Sequence, residues 1–274
     1  MPDDLHDFAL GSFTHGGEER VVYRAGSGPA VIVMAEMPGL TPKVADFARR
    51  VVGIGCSVAL PVLFGEPGAD PMTAGGKPRM GYMLKSIAPA CVSKEFAAFA
   101  AGRTAPVTDW LRALGRSEWE RCGGPGVGAI GMCFTGGFAL GMMVDEHLLA
   151  PVLSQPSLPI GPSGKKKADV HLSPADLAKV KERAADGVCV LGLRFTGDKL
   201  SPPERFETLR RELGDAFVGV EIDSSPGNPW GIRKAAHSVV TEDLVDEPGH
   251  PTHDALEQVL DLFRTRLVEP AATA

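Results

Sequence analysis

The 274-residue chain has no C-x-x-C pair, no apolar segment at its N-terminus, no apolar run long enough to cross a bilayer and no internal repeat. Each absence removes a class of protein. The five cysteines, Cys56, Cys91, Cys122, Cys133 and Cys189, stand apart, which argues against a zinc knuckle or a redox dithiol. An odd count without a framework suits a reducing compartment. Met1-Pro2-Asp3-Asp4 is acidic, so no secretory leader is expected. A cytoplasmic location without membrane contact follows as the expectation. Acidic residues outnumber basic ones, 34 to 28. The formal net charge is -6, which speaks against a broad nucleic-acid face. The one basic run, Lys165-Lys166-Lys167, follows Gly161-Pro162-Ser163-Gly164 and reads as a solvated loop.

What is present is a balanced globular composition, 44% hydrophobic and 23% charged, enough for one large core and too short to demand two. A single domain over 1–274 is expected. Short apolar runs alternate with longer amphipathic stretches, the pattern of an α/β protein with a mostly parallel central sheet and helices on both faces. Strands are expected at 30–35, 56–60, 127–132, 149–153, 188–195 and 216–222. Thr41 and Pro42 have the chemistry of a helix cap and first turn, and a helix should run through Val51. Residues 61–82 are rich in Gly and Pro and read as a loop, followed by a helical region over 92–119 broken near Gly102 and Pro106. A helix is expected over 136–144. The segment 155–187 combines a Pro/Gly/Lys-rich half with a helix capped by Ser173-Pro174, and is a candidate lid or loop insertion. A helix over 202–213 and a closing helix from Pro251 to about Leu267 complete the pattern, and Pro270 to Ala274 should fray.

The most informative segment is Gly131-Met132-Cys133-Phe134-Thr135-Gly136-Gly137. A buried strand turns into a helix with one nucleophilic side chain at the apex. Such a turn strains the backbone of the nucleophile and requires small neighbours, which Gly131, Thr135 and Gly136 supply. The following helix aims its N-terminal amides at the sulfur and favours a thiolate. Phosphate binding fits less well, because neither a Lys-Ser/Thr pair nor the G-x-G-x-x-G spacing is present. A buried, inert cysteine is the plain structural alternative.

The chain order nucleophile, acid, base then points to two partners. Asp198 comes just after a strand, in Thr196-Gly197-Asp198, where an orienting acid belongs, although turns commonly hold such a residue. His237 precedes the last helix, where a general base belongs. His250 and His253 read as residues of a helix start; no third ligand sits near them, so no metal is expected. His6, His15, His147 and His171 have no motif context.

Together these residues resemble the dienelactone hydrolase family over about 31–267. The likeness rests on Val31 to Gly39 with Glu36 at its strand end, on Ala59 to Phe64, on the Cys133 elbow, and on Gly197-Asp198 and Ala236-His237-Ser238. The resemblance implies an α/β-hydrolase with Cys133 as nucleophile, His237 as base and acid, and Asp198 as orienter. It also implies Glu36 beside the resting thiol, helping to move its proton, and an oxyanion hole from the amides of Met37 and Phe134. The implied reaction is hydrolysis of a small-molecule ester or lactone through a thioester, without cofactor, by a monomer or a homodimer. Two features depart from the family. Thr135 stands where the family has Gly. Thr241, and a stretch without Arg over 91–94, stand where the family's two carboxylate-binding arginines fall; Lys94 and Arg103 are the candidate substitutes. Acyl choice therefore stays open between lactonase, thioesterase and general carboxylesterase. A non-catalytic binding protein and a redox thiol sensor on the same fold remain rival readings.

Overall fold

The computed structural model describes residues 1–73 and 75–269, so the expected fray at Pro270 to Ala274 lies outside the described residues. Eight strands form one sheet: β1 (Ala9–His15), β2 (Glu18–Gly26), β3 (Ala30–Met34), β4 (Ser57–Pro61), β5 (Val127–Met132), β6 (Leu148–Ser154), β7 (Val190–Phe195) and β8 (Phe217–Ile222). Their order is β1-β2-β4-β3-β5-β6-β7-β8. The β1–β2 and β2–β4 pairs are antiparallel; all others are parallel.

Strand periodicity decides which helix covers which face. In β3, Ala30, Ile32 and Met34 join one apolar cluster while Val31 and Val33 join the other. The first cluster is completed by α3 (Val107–Cys122), α4 (Gly136–Met142), α6 (Pro174–Ala185) and α7 (Pro203–Leu213), through Leu111, Phe138, Val180 and Phe206. The second is completed by α1 (Pro42–Gly53) and α8 (Pro251–Phe263), through Phe47 and Val259. Two further helices remain, α2 (Met80–Val92) and the one-turn α5 (Gly164–Ala168). The central strands are buried on both sides, as parallel strands between helical layers must be.

Thr41 caps α1 by accepting a hydrogen bond from the Val44 amide, with Pro42 in the first turn. Three local expectations are corrected. The antiparallel β1–β2 ribbon was not foreseen: its strands are half exposed and polar, so they carry little of the apolar signal that marks the core strands. Helix α2 begins inside the stretch expected to be a loop. The helix expected over 92–119 instead starts at Val107, because Ser93 to Pro106 folds as turns, with Ala97 and Gly102 both at positive φ. Helix α2 is also unusual in what it buries. Only Ser86 and Ala90 face inward, while Met80, Leu84 and Val92 are exposed.

Candidate active site

Strand register brings the first two parts of the site together. In the parallel β3–β5 pair, Met34 lies opposite Gly131. Three residues beyond each lie Met37 and Phe134, so their amides leave adjacent strands at the same edge of the sheet. Between Gly131 and Phe134 sits Cys133, with φ +54°. A left-handed backbone at a non-glycine residue is costly and persists only where the surroundings enforce it.

The surroundings do enforce it. A Cβ on Gly131 would stand 2.1 Å from the Thr135 carbonyl oxygen, and one on Gly136 would stand 2.5 Å from Pro156 Cα. The Ser157 amide donates to the Cys133 carbonyl at 2.9 Å. Thr135 is fully buried and ties the turn to the neighbouring strand. Its Oγ1 accepts from the Met132 amide at 2.9 Å and donates to the Met34 carbonyl at 2.9 Å. The residue that departs from the family's glycine is thus a cross-link between the elbow and the strand that leads to Met37.

Asp198 follows β7 and is buried. Its Oδ2 pairs with His237 Nδ1 at 2.7 Å, and its Oδ1 accepts the Leu200 amide at 2.9 Å. The other imidazole nitrogen, Nε2, is buried, faces the Cys133 thiol and lacks a well-aligned hydrogen bond. Catalytic pairs are often loose until substrate binds. Burial alone would lower the His237 pKa. The Asp198 carboxylate and the Cys133 sulfur oppose it and prevail, raising the pKa to about 11. The His237 loop is anchored through Asp243, whose Oδ2 accepts the amides of His237 at 2.8 Å and Ser238 at 3.1 Å.

Glu36 lies just past β3, buried, within a polar layer rather than in an open cleft. Its Oε2 accepts from Ser238 Oγ at 2.5 Å and from Gln155 Nε2 at 3.3 Å, and its Oε1 accepts from Thr241 Oγ1. Burial raises the Glu36 pKa above the ordinary carboxylate range, and the two hydroxyls only partly offset it. Thr241, at the position where the resemblance implies an arginine, is therefore a partner of Glu36. The thiol is not among the hydrogen-bond partners of Glu36 among the described residues.

Gln155 and Ser157, at the head of the segment expected to be a lid or insertion, are buried against this layer. The segment is held down from below. Arg205 on α7 is almost completely buried, and its guanidinium donates to the carbonyls of Pro156, Pro159, Lys166 and Asp169. Gln155, Ser157 and Asp243 escaped the sequence reading. One signal was available for the first two: they directly follow β6, the neighbour of the strand that leads into Cys133, at the carboxyl edge where α/β sheets carry their sites.

Lys94 and Arg103 are both exposed, in the turns between α2 and α3. A cavity of about 560 Å³ lies alongside, lined by Phe64, Tyr82, Lys85, Ser86, Glu95 and Phe96 among others, and neither Lys94 nor Arg103 lines it. The turn at 93–106 directs their side chains to solvent. Phe64 and Phe96 meet Phe134 edge-on, at 5.7 and 5.4 Å between ring centres, so the cavity wall abuts the residue next to Cys133. His250 accepts from the Thr252 amide as the cap of α8, and His253 pairs with Asp246. Among the described residues, no group of three or more His, Cys, Asp or Glu could hold a metal ion, and no helix is long and apolar enough to cross a membrane.

No family model and no curated protein matches the chain. Solved structures do. A Klebsiella pneumoniae protein described as a dienelactone hydrolase matches 93% of this chain and 98% of its own, with TM-score 0.58 and 17% identity. A dienelactone hydrolase-like promiscuous phosphotriesterase from metagenomic libraries matches 95% of this chain and 98% of its own, with TM-score 0.57 and 15% identity. The chain has the fold of the α/β-hydrolases. A cold-adapted esterase from an Arctic intertidal metagenomic library shares it, over 94% of this chain and 93% of its own, with TM-score 0.53 and 16% identity. The strand-to-helix turn that follows β5, at the centre of the sheet, holds Cys133.

Proposed function

We propose that the protein is a carboxylic ester hydrolase acting on small esters or lactones through a Cys133–His237–Asp198 triad. One arrangement carries the reading: a strained cysteine facing an imidazole whose far nitrogen is 2.7 Å from a buried carboxylate. The Asp198 carboxylate raises the proton affinity of His237, so the imidazole can take the Cys133 proton and leave an imidazolium–thiolate pair to react. The sulfur then attacks the substrate carbonyl carbon, and the Met37 and Phe134 amides receive the developing oxyanion. The C–O bond breaks and the departing alkoxide takes its proton from His237. Water, deprotonated by the now neutral imidazole, attacks the thioester and restores the ion pair. With a lactone, the released hydroxyl stays tethered to the acyl group until that second attack.

A panel of activated esters, enol-lactones and acyl thioesters tests the reading. Cys133→Ala should abolish turnover, and rapid quenching should trap an acyl adduct on Cys133 in the parent protein. Full turnover by the alanine variant would overturn the mechanism. The non-catalytic reading would be supported instead by ligand binding without turnover of any panel member.

A further inference from the structure

Ser157 makes two contacts that separate its backbone role from its side-chain role. Its amide donates to the Cys133 carbonyl at 2.9 Å, which helps hold the left-handed turn. Its hydroxyl, buried with the rest of the side chain, lies 3.5 Å from Cys133 Sγ and 3.1 Å from the Gln155 carbonyl oxygen. A hydroxyl has one proton, so it can donate to only one of these acceptors at a time. A neutral thiol accepts weakly, and the carbonyl then takes the bond. A thiolate is the stronger acceptor, because hydrogen bonds to charged groups are shorter and roughly twice as strong.

We propose that Ser157 is a catalytic partner of the nucleophile, its hydroxyl turning from the Gln155 carbonyl onto the Cys133 sulfur whenever that sulfur is negatively charged. The inference rests on the hydrolase reading for its second consequence but not for its first. First, the hydroxyl stabilises the free thiolate alongside His237. Second, it stabilises the thiolate as leaving group when water opens the acyl-enzyme, the moment at which the sulfur regains its charge. Ser157 keeps its own proton in both events. The titratable groups that face the thiol are His237 and, on α2, Cys91; Asp198 and Glu36 act on His237 and not directly on the sulfur. None of them lies on the segment that carries Ser157.

The backbone bond survives substitution of the side chain, so Ser157→Ala and Ser157→Gly both remove the hydroxyl while keeping the amide, and Ser157→Thr keeps both. Iodoacetamide labelling of Cys133, followed by mass spectrometry across pH, reads the thiolate without any need for turnover. The hydroxyl-free variants should move the midpoint of labelling upward by about one pH unit, a roughly tenfold loss of thiolate below it. Above the midpoint they should label about threefold faster, because a less stabilised thiolate is the better nucleophile. Ser157→Thr should restore the parent profile. In rapid-quench ester hydrolysis the hydroxyl-free variants should accumulate acyl-enzyme. Unchanged labelling midpoints in folded Ala and Gly variants would overturn the proposal. A shifted midpoint in a protein that hydrolyses nothing on the panel would uphold the thiolate pairing and defeat the hydrolase reading instead.

Discussion

Replacing Thr135 with valine keeps the shape of the side chain and deletes its oxygen. Two backbone groups then lose a partner in a fully buried place: the Met132 amide, which donates to Oγ1, and the Met34 carbonyl, which accepts from it. An orphaned buried polar group costs about 1–3 kcal/mol, so with two of them Thr135→Val should destabilise the protein by about 2–6 kcal/mol. At ~2.1 cal/mol/K per residue, a chain of 274 residues loses about 1.7 °C of Tm per kcal/mol, giving a fall of roughly 3–10 °C. Catalysis should suffer more than stability suggests. The lost bonds join the turn bearing the Phe134 amide to the strand leading to the Met37 amide. If the two donors drift apart by a fraction of an ångström, kcat should drop by about tenfold to a hundredfold with little change in KM. Thr135→Ser retains the oxygen and should stay within about 1 kcal/mol of the parent. Thermal melts and steady-state kinetics on one activated ester are sufficient assays. A valine variant that melts within 1 °C of the parent and turns over normally would refute the cross-link.

Asp198→Asn should leave the fold intact but orient the imidazole poorly, cutting kcat by about a hundredfold to ten-thousandfold in ester turnover. The pKa of His237 is raised, from about 6.5 unfolded to about 11 folded. Its contribution to stability is therefore complete below about pH 6.5 and is lost as pH climbs toward 11. Urea unfolding between pH 7 and 11 should show a steeper alkaline loss in the parent than in His237→Gln, and parallel curves would contradict it. Arg205→Met removes the donor to four carbonyls, two of them in buried contacts, and should cost more than about 3 kcal/mol, with Arg205→Lys recovering only part, read from denaturation midpoints. Gly136→Ala pushes a methyl group against the backbone at Pro156 and should destabilise by about 1–3 kcal/mol while lowering kcat; an alanine variant equal to the parent would show that the loop yields freely.

The legible parts of the chain were those whose chemistry is local. The elbow was readable because glycines on either side of one cysteine leave a turn and a nucleophile as the simplest account. The buried strands were readable because their residues are apolar on both faces. Ribbon β1–β2 was not, since an edge that faces water alternates weakly. The register of α2 and α3 was lost because the turns at 93–106 carry alanines and two phenylalanines, an apolar run that reads as helix. The polar layer around Glu36 was legible only in part. Its members come from residues 36, 155, 238 and 241, and what unites them is burial at one sheet edge, not spacing along the chain. Lys94 and Arg103 were chosen for their charge, and charge says nothing about direction; both face solvent.

The positive φ of Cys133 sets activity and robustness against each other. Glycine would relax at that position, and a chain kept only for its persistence would drift toward it, since the strain returns nothing to an idle protein. Sequence variation at position 133 among close relatives is thus a gauge of use: as long as the thiol works, the tighter residue is retained, and once it stops, glycine becomes the more durable choice.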